Sequence, residues 1–193
     1  FDLAAATTIT SPLSNAIPPA GDPGQGTDFT EVYKRIGDLE ITPSATWVVA
    51  GKKVIFVDGN VTINGPADNK IISVDPGGFF AIIATGDITI DQDIGASISY
   101  GGTPTIEPQI EGFYVADGSL IIEESGDQDA IDKMFIGAGS FVGWEGVRLP
   151  RDFETVADPS TGLLNNYVPT DTFIFRPDFI LNTPELMKRS TFN

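Results

Sequence analysis

The chain has 193 residues, a formal net charge of −16, and neither cysteine nor histidine. Disulfides, thiolate chemistry, the usual zinc ligands and the usual general base are therefore absent, and Ser–His or Cys–His nucleophile pairs are excluded. The acidity argues against nucleic acid and anionic membrane surfaces as partners, no apolar run reaches the ~20 residues of a membrane helix, and the length suits one domain, or one domain with an arm.

Residues 1–28 read as the arm. "FDLAAATTIT" alternates, with Phe1, Leu3 and Ile9 on one side of a lone strand. "SPLSNAIPPAGDPGQGTD" (11–28) is a Pro- and Gly-rich linker, long enough to extend ~50 Å. The chain starts with Phe, as a processed product or a fragment does. Abundant Thr, Gly, Pro and Asn with few Lys suit a secreted β protein, extracellular or at the cell surface.

Residues 29–145 carry a repeat. "VIFVDGNVTING" (54–65), "AIIATGDITIDQ" (81–92), "FYVADGSLIIEE" (113–124) and "MFIGAGSFVGWE" (134–145) align without gaps, and "YKRIGDLEIT" precedes them. The aligned glycines are Gly37, Gly59, Gly86, Gly118 and Gly139, at steps of 22, 27, 32 and 21 residues. Alternation over two residues indicates strands, and a period of 20–50 residues indicates a solenoid. The predicted fold is all-β, a parallel β-helix of about five short coils. Each glycine would turn a corner at positive φ. Val61, Ile88, Leu120 and Phe141 would stack in one inner row, and Ile63, Ile90 and Ile122 in the next. The alternative is a β-sandwich, in which Asp58-Gly59 and Asn64-Gly65 are hairpin turns. Loops of unequal length, notably 97–109 and 124–132, accommodate the uneven steps.

From Gly146 the repeat pattern ends. "DTFIFRPDFIL" reads as one strand broken by Pro177. "TPELMKRS" reads as a short helix, with Thr183 as N-cap and Pro184 in its first turn. Residues 146–193 thus form an extension and a cap over one end of the coils.

Candidate chemistry is sparse. Val54 to Asp132 holds fourteen acids and one base, Lys70. Asp127, Asp129 and Asp132, in a Gly-containing loop, are candidate Ca²⁺ ligands, although the EF-hand pattern is absent. Asp91 with Asp93, and Glu123 with Glu124, are carboxylate pairs that read as a solvated acidic face. A Ca-dependent polysaccharide lyase would draw its base from Arg148 or Arg151, near Asp152. These arginines read instead as ion-pair partners, and the chain as no enzyme. Trp47, Trp144, Tyr100 and Tyr114 are candidate sugar platforms, with a coil-stacking role favoured for Trp144. Asn60-Val61-Thr62 is a glycosylation sequon or simply a turn.

"VIFVDGNVTI", "GFFAIIATGDITID", "GSFVGWEGVRLPRD" and "FIFRPDFILNTPEL" together resemble a β-helical module of large, uncharacterised secreted or pilus-associated bacterial surface proteins. The resemblance covers about residues 45–190 and implies a surface location, with no catalytic residue to carry over. The expected function is that of an extracellular structural protein. It would be a self-assembling subunit of a cell-surface filament or layer, joined by addition of the N-terminal strand, with Phe1, Leu3 and Ile9, to the next copy. Its partners would be other copies of itself, with surface polysaccharide a further possibility. The alternatives are a carbohydrate-binding or carbohydrate-cleaving β-helix and a passive adhesin stalk.

Overall fold

Short alternating runs, each closed by a small or glycine-containing turn, set the architecture of the computed structural model. The structure describes residues 3, 6–14, 30–65, 70–98, 107–126, 132–153 and 168–188. In chain order the strands are β1 (Thr7–Thr8), β2 (Thr30–Ile36), β3 (Leu39–Ile41), β4 (Trp47–Val49), β5 (Lys52–Asp58), β6 (Val61–Ile63) and β7 (Ile72–Val74). There follow β8 (Phe79–Ala84), β9 (Ile88–Ile90), β10 (Ile110–Ala116), β11 (Ser119–Ile122), β12 (Phe135–Gly143), β13 (Gly146–Arg148) and β14 (Asp171–Ile174). Two short helices end the described chain, α1 (Pro177–Asn182) and α2 (Glu185–Lys188).

The protein is all-β, built of two parallel sheets. The long sheet runs β1-β2-β5-β8-β10-β12-β14, with β4 and β7 as a side branch against β10; the short sheet runs β13-β11-β9-β6-β3. Every strand pairing among the described residues is parallel. A sandwich of hairpins needs antiparallel pairs, so that alternative is excluded. "FVDGNVTING" is no hairpin: its two halves, β5 and β6, lie in different sheets.

Register fixes which side chains stand together. Val32, Val54, Ala81, Phe113 and Ser140 are neighbours across the long sheet. Leu39, Val61, Ile88, Leu120 and Val147 are neighbours across the short one. Both sequences of partners advance by 22, 27, 32 and 27 residues. In the short sheet, Val61, Ile88 and Leu120 form one fully buried row and Ile63, Ile90 and Ile122 the other. Each such side chain contributes roughly 1.5–3 kcal/mol by leaving water.

The fourth repeat is displaced from its sequence alignment. The last step is 27 residues rather than 21, so Val147, not Phe141, continues the row after Leu120. Phe141 instead stacks on Tyr114 in the long sheet, with ring centroids 5.1 Å apart. The cause is the small-residue run in "FIGAGSFVG", which lets β12 continue for nine residues. Gly139 lies inside this strand at φ 133°, where a Cβ would fall 1.9 Å from the Gly112 carbonyl oxygen. The corner comes later, where Glu145 N–H donates to Gly118 O.

Nor do the corner glycines all serve positive φ. Gly37 and Gly59 do, at 82° and 156°. Gly86 and Gly118 have another reason. Asp38 Oδ1 accepts from Asn60 N–H, Asn60 Oδ1 from Asp87 N–H, and Asp87 Oδ1 from Ser119 N–H. This side-chain ladder runs up the corner, and a Cβ at Gly86 or Gly118 would come within 2.2 or 2.3 Å of its oxygens. Asn60 is therefore held within the fold by its own side chain.

The C-terminal part also differs from the sequence reading. Pro177 does not interrupt a strand; it begins α1, where a missing N–H costs nothing. Among the described residues β14 and β13 stand at one end of the two sheets, and α1 packs against the long sheet through Phe179. Phe179 of α1 is fully buried and packs edge-on against Phe79, which also contacts Phe113. By strand alternation, Phe79 and Phe113 belong to the outer face of the long sheet.

Candidate functional site

The arrangement that stands out is a groove on that outer face. Lys34, Phe56, Ile83, Val115 and Val142 are register partners on β2, β5, β8, β10 and β12, at the ~4.8 Å spacing of neighbouring strands. With Leu3 at the β2 end they line a groove of about 630 Å³. Along its rim, two positions further on each strand, stand Ile36, Asp58, Thr85, Asp117 and Trp144. Ile36 is 75% and Trp144 83% exposed. The floor is aliphatic and aromatic apart from Lys34, Arg35 also lines the groove, and the rim carries two carboxylates, Asp58 and Asp117. Phe56, Ile83 and Val115 are half-buried and Ile36, Val142 and Trp144 exposed, which makes the groove a candidate interaction surface.

Leu3 is half-buried, and its carbonyl accepts from Lys34 Nζ at 3.0 Å. From there the segment passes into β1, which pairs in parallel with Tyr33 and Lys34 of β2. Ile9 and Leu13 are buried in the main core, and Leu13 bridges Ile41 of β3. The N-terminal segment thus adds a partial rung beyond both sheets of its own chain. Ile9, expected at an inter-subunit contact, packs inside that core because the edges of β2 and β3 offer it a parallel partner. Phe1 lies outside the described residues.

Of the three expected Ca²⁺ ligands, only Asp132 lies among the described residues. Its Oδ1 accepts Ser125 N–H at 2.6 Å and its Oδ2 accepts Asp152 N–H at 2.8 Å, so both oxygens hold main chain. Asp127 and Asp129 lie outside the described residues. Among those described, no group of three acidic residues is placed to hold a metal.

Arg151 is almost fully buried. It donates to the carbonyl oxygens of Glu123, Ile94, Lys133 and Asp91 at 2.7–3.0 Å, tying together the segments that follow β9 and β11 and the one that precedes β12. Burial lowers its pKa, and the nearby Asp171, Asp132, Asp91 and Glu123 oppose that effect. Arg148 is exposed. Glu111 is the other buried ionic centre, paired with Lys70 at 2.7 Å and Arg176 at 2.9 Å, and accepting Val74 N–H. Burial pushes its carboxyl up, but Lys70, Val74 N–H and Arg176 outweigh this and hold it below the ordinary range. Lys70, the lone base of the acidic stretch, is the one sign of this centre legible in the residues.

Of the aromatic candidates, Trp47 and Tyr114 are buried, and Tyr114 Oη donates to Glu111 O. Tyr100 lies outside the described residues. Trp144, expected to stack between coils, stands in the open at the groove rim, because β12 runs on past the place where the alignment put the corner. The outward row itself was not legible. "VIFV" and "FFAIIA" are apolar at consecutive positions, and such runs do not reveal which residues face inward. No family model, no curated protein and no solved structure matches this chain.

Proposed function

We propose that this chain is an extracellular structural subunit, a parallel β-helix of about five coils that assembles with copies of itself into a cell-surface filament or layer. On this reading it is a β-helical module of bacterial surface proteins and has no catalytic role. The observation that carries the proposal is the N-terminal rung. Residues 7–13 pair with β2 and β3 as a short separate piece, connected to the body through residues 15–29. A rung on a long tether can be exchanged between copies while keeping the same contacts, so exchange costs little. Phe1, Leu3 and Ile9 of one copy would then lie on the next, and head-to-tail exchange does not close.

The absence of cysteine makes the test clean. Thr8 and Lys34 are register partners. In assembled material, the Thr8→Cys/Lys34→Cys protein should give a ladder of covalent multimers under non-reducing conditions. Removal of residues 1–10 should leave a folded chain that does not polymerise. Disulfides found only within single chains of a polymer would rule the exchange out.

A second reading, carbohydrate binding, is favoured by one observation. Trp144 is open to solvent beside Asp117 and Thr85, an aromatic face next to hydrogen-bonding groups. Quenching or a blue shift of its emission on titration with soluble surface polysaccharide would support it.

A further inference from the structure

We infer that α1 and α2 form a strap across the long sheet's outer face, closed by the Glu111 carboxylate and opened when that carboxylate is neutralised. The inference does not depend on the assembly proposed above. The strap stands on a narrow footing. Phe179 is fully buried, with its ring centroid 6.2 Å from that of Phe79, and it reaches β12, where a Cβ at Gly139 would lie 3.1 Å from its ring. Met187 of α2 packs, half-buried, against the same core. Phe175, Ile180 and Leu181 are exposed and add little to the hold. The hydrogen bonds of the helices are internal: Phe179 N–H donates to Arg176 O, Thr183 Oγ1 to Phe179 O and Met187 N–H to Pro184 O. Among the described residues, the one polar tie from residues 176–188 to the sheets is Arg176 Nη1 to Glu111 Oε2, at 2.9 Å.

That tie ends on a shared group. Glu111 also holds Lys70 at 2.7 Å and accepts Val74 N–H at 2.9 Å, so β7 and the strap meet on one carboxylate. Asp178 orients Arg176, accepting from its Nε and Nη2 at 2.8 and 2.7 Å, and the guanidinium lies 4.4 Å from the Phe179 ring. Ion pair and apolar anchor are therefore parts of one unit. The groups facing Glu111 are the cations Lys70 and Arg176, Asp178 behind the second, and on its own strand Tyr114, whose hydroxyl burial keeps protonated. With the carboxylate neutral, the two cations share a half-buried place without a counter-charge. The strap relieves this by carrying Arg176 into water, where Asp178 still accompanies it. Burial raises the Glu111 pKa, but its partners outweigh that and hold it below the ordinary range. The strap is thus closed at neutral pH and opens as pH falls through the lowered value. Opening uncovers Phe79 and Phe113, so acid exchanges a helix-covered surface for an aromatic one.

The chain has two methionines, which makes the test direct. Met187 lies on the strap, whereas Met134 is buried in a separate small core with Ile136 and Phe153. Methyl-labelled methionine gives one NMR signal from each, and Met187→Leu identifies them. At neutral pH, Arg176→Gln leaves Glu111 with Lys70 and Val74 N–H. It should move at least half of the Met187 signal to the position of methionine in an unfolded peptide while the Met134 signal stays. Glu111→Gln should do the same, and Arg176→Lys should keep most of the signal in place. In the parent chain the Met187 signal should move below pH ~4.5, before that of Met134. An unmoved Met187 signal in Arg176→Gln would overturn the proposal. Joint movement of both signals in that variant would also overturn it, because the helices would then unfold with the sheets. If Glu111→Gln unfolds outright, Arg176→Gln decides alone.

Discussion

Gly86 and Gly118 are required by a neighbour's side chain. Gly86→Ala puts a methyl group 2.2 Å from Asn60 Oδ1 and should cost about 1–3 kcal/mol in urea unfolding. Adding Asn60→Ala removes the obstacle, so the double variant should be less destabilised than the sum of the single ones. Glu111 provides the pH test. Its carboxyl is held below the ordinary range, so its stabilising contribution is complete above the unfolded-state pKa and is lost as pH falls through the lower folded value. Glu111→Gln leaves Lys70 and Arg176 facing a neutral partner and should cost about 3–5 kcal/mol at neutral pH. Below pH ~4.5 the variant's stability should change less steeply with pH than that of the parent. The corner glycines were visible in the sequence as a recurring letter. Their two different reasons were not, because the Asp38–Asn60–Asp87–Ser119 ladder joins residues that only the register brings together.

At the level of elements, the short sheet was the most legible part. "NVTI", "DITI" and "SLII" alternate cleanly, and Ile63, Ile90 and Ile122 meet in one row. Ile90→Ala should cost about 2–5 kcal/mol, and Ile90→Asp should prevent folding, since an unpaired charge cannot be held in a dry row. Circular dichroism with denaturant titration distinguishes the two outcomes. The long sheet was harder to read. Its strands are apolar on both faces where α1 covers them, so the period of two is lost in "FFAIIA". In β12, three glycines produced a false match at Gly139 and moved Phe141 and Trp144 to the wrong places. The start of α1 was hidden by Pro177, which ends a strand and begins a helix equally well.

For the whole molecule, charge and the unequal steps matter most. Fourteen acids against Lys70 between Val54 and Asp132 should oppose close approach of copies unless salt or divalent cations intervene. At low ionic strength, chelator treatment should lower the melting temperature and shorten the polymer; no change in either would mean that the carboxylates simply face water. The unequal steps have a different consequence. The link from the long sheet to the short one has a constant length: Val57 leads to Val61, Ala84 to Ile88 and Ala116 to Leu120, each four residues on. All the variation in step lies in the return segments, such as that from Ile63 to Phe79 or from Ile90 to Ile110. One seam of the molecule therefore has a fixed length and the other a variable one, in which β7 is itself packed into the long sheet. An insertion of ten residues in a return segment should cost only about a kcal/mol or less, because loop-closure entropy rises slowly with length. One residue added between Ala84 and Ile88 would turn Ile88 and Ile90 of β9 out of their buried rows. New peptide sequence can thus be accepted, by evolution or by design, along a single side of the molecule without disturbing its stacked rows.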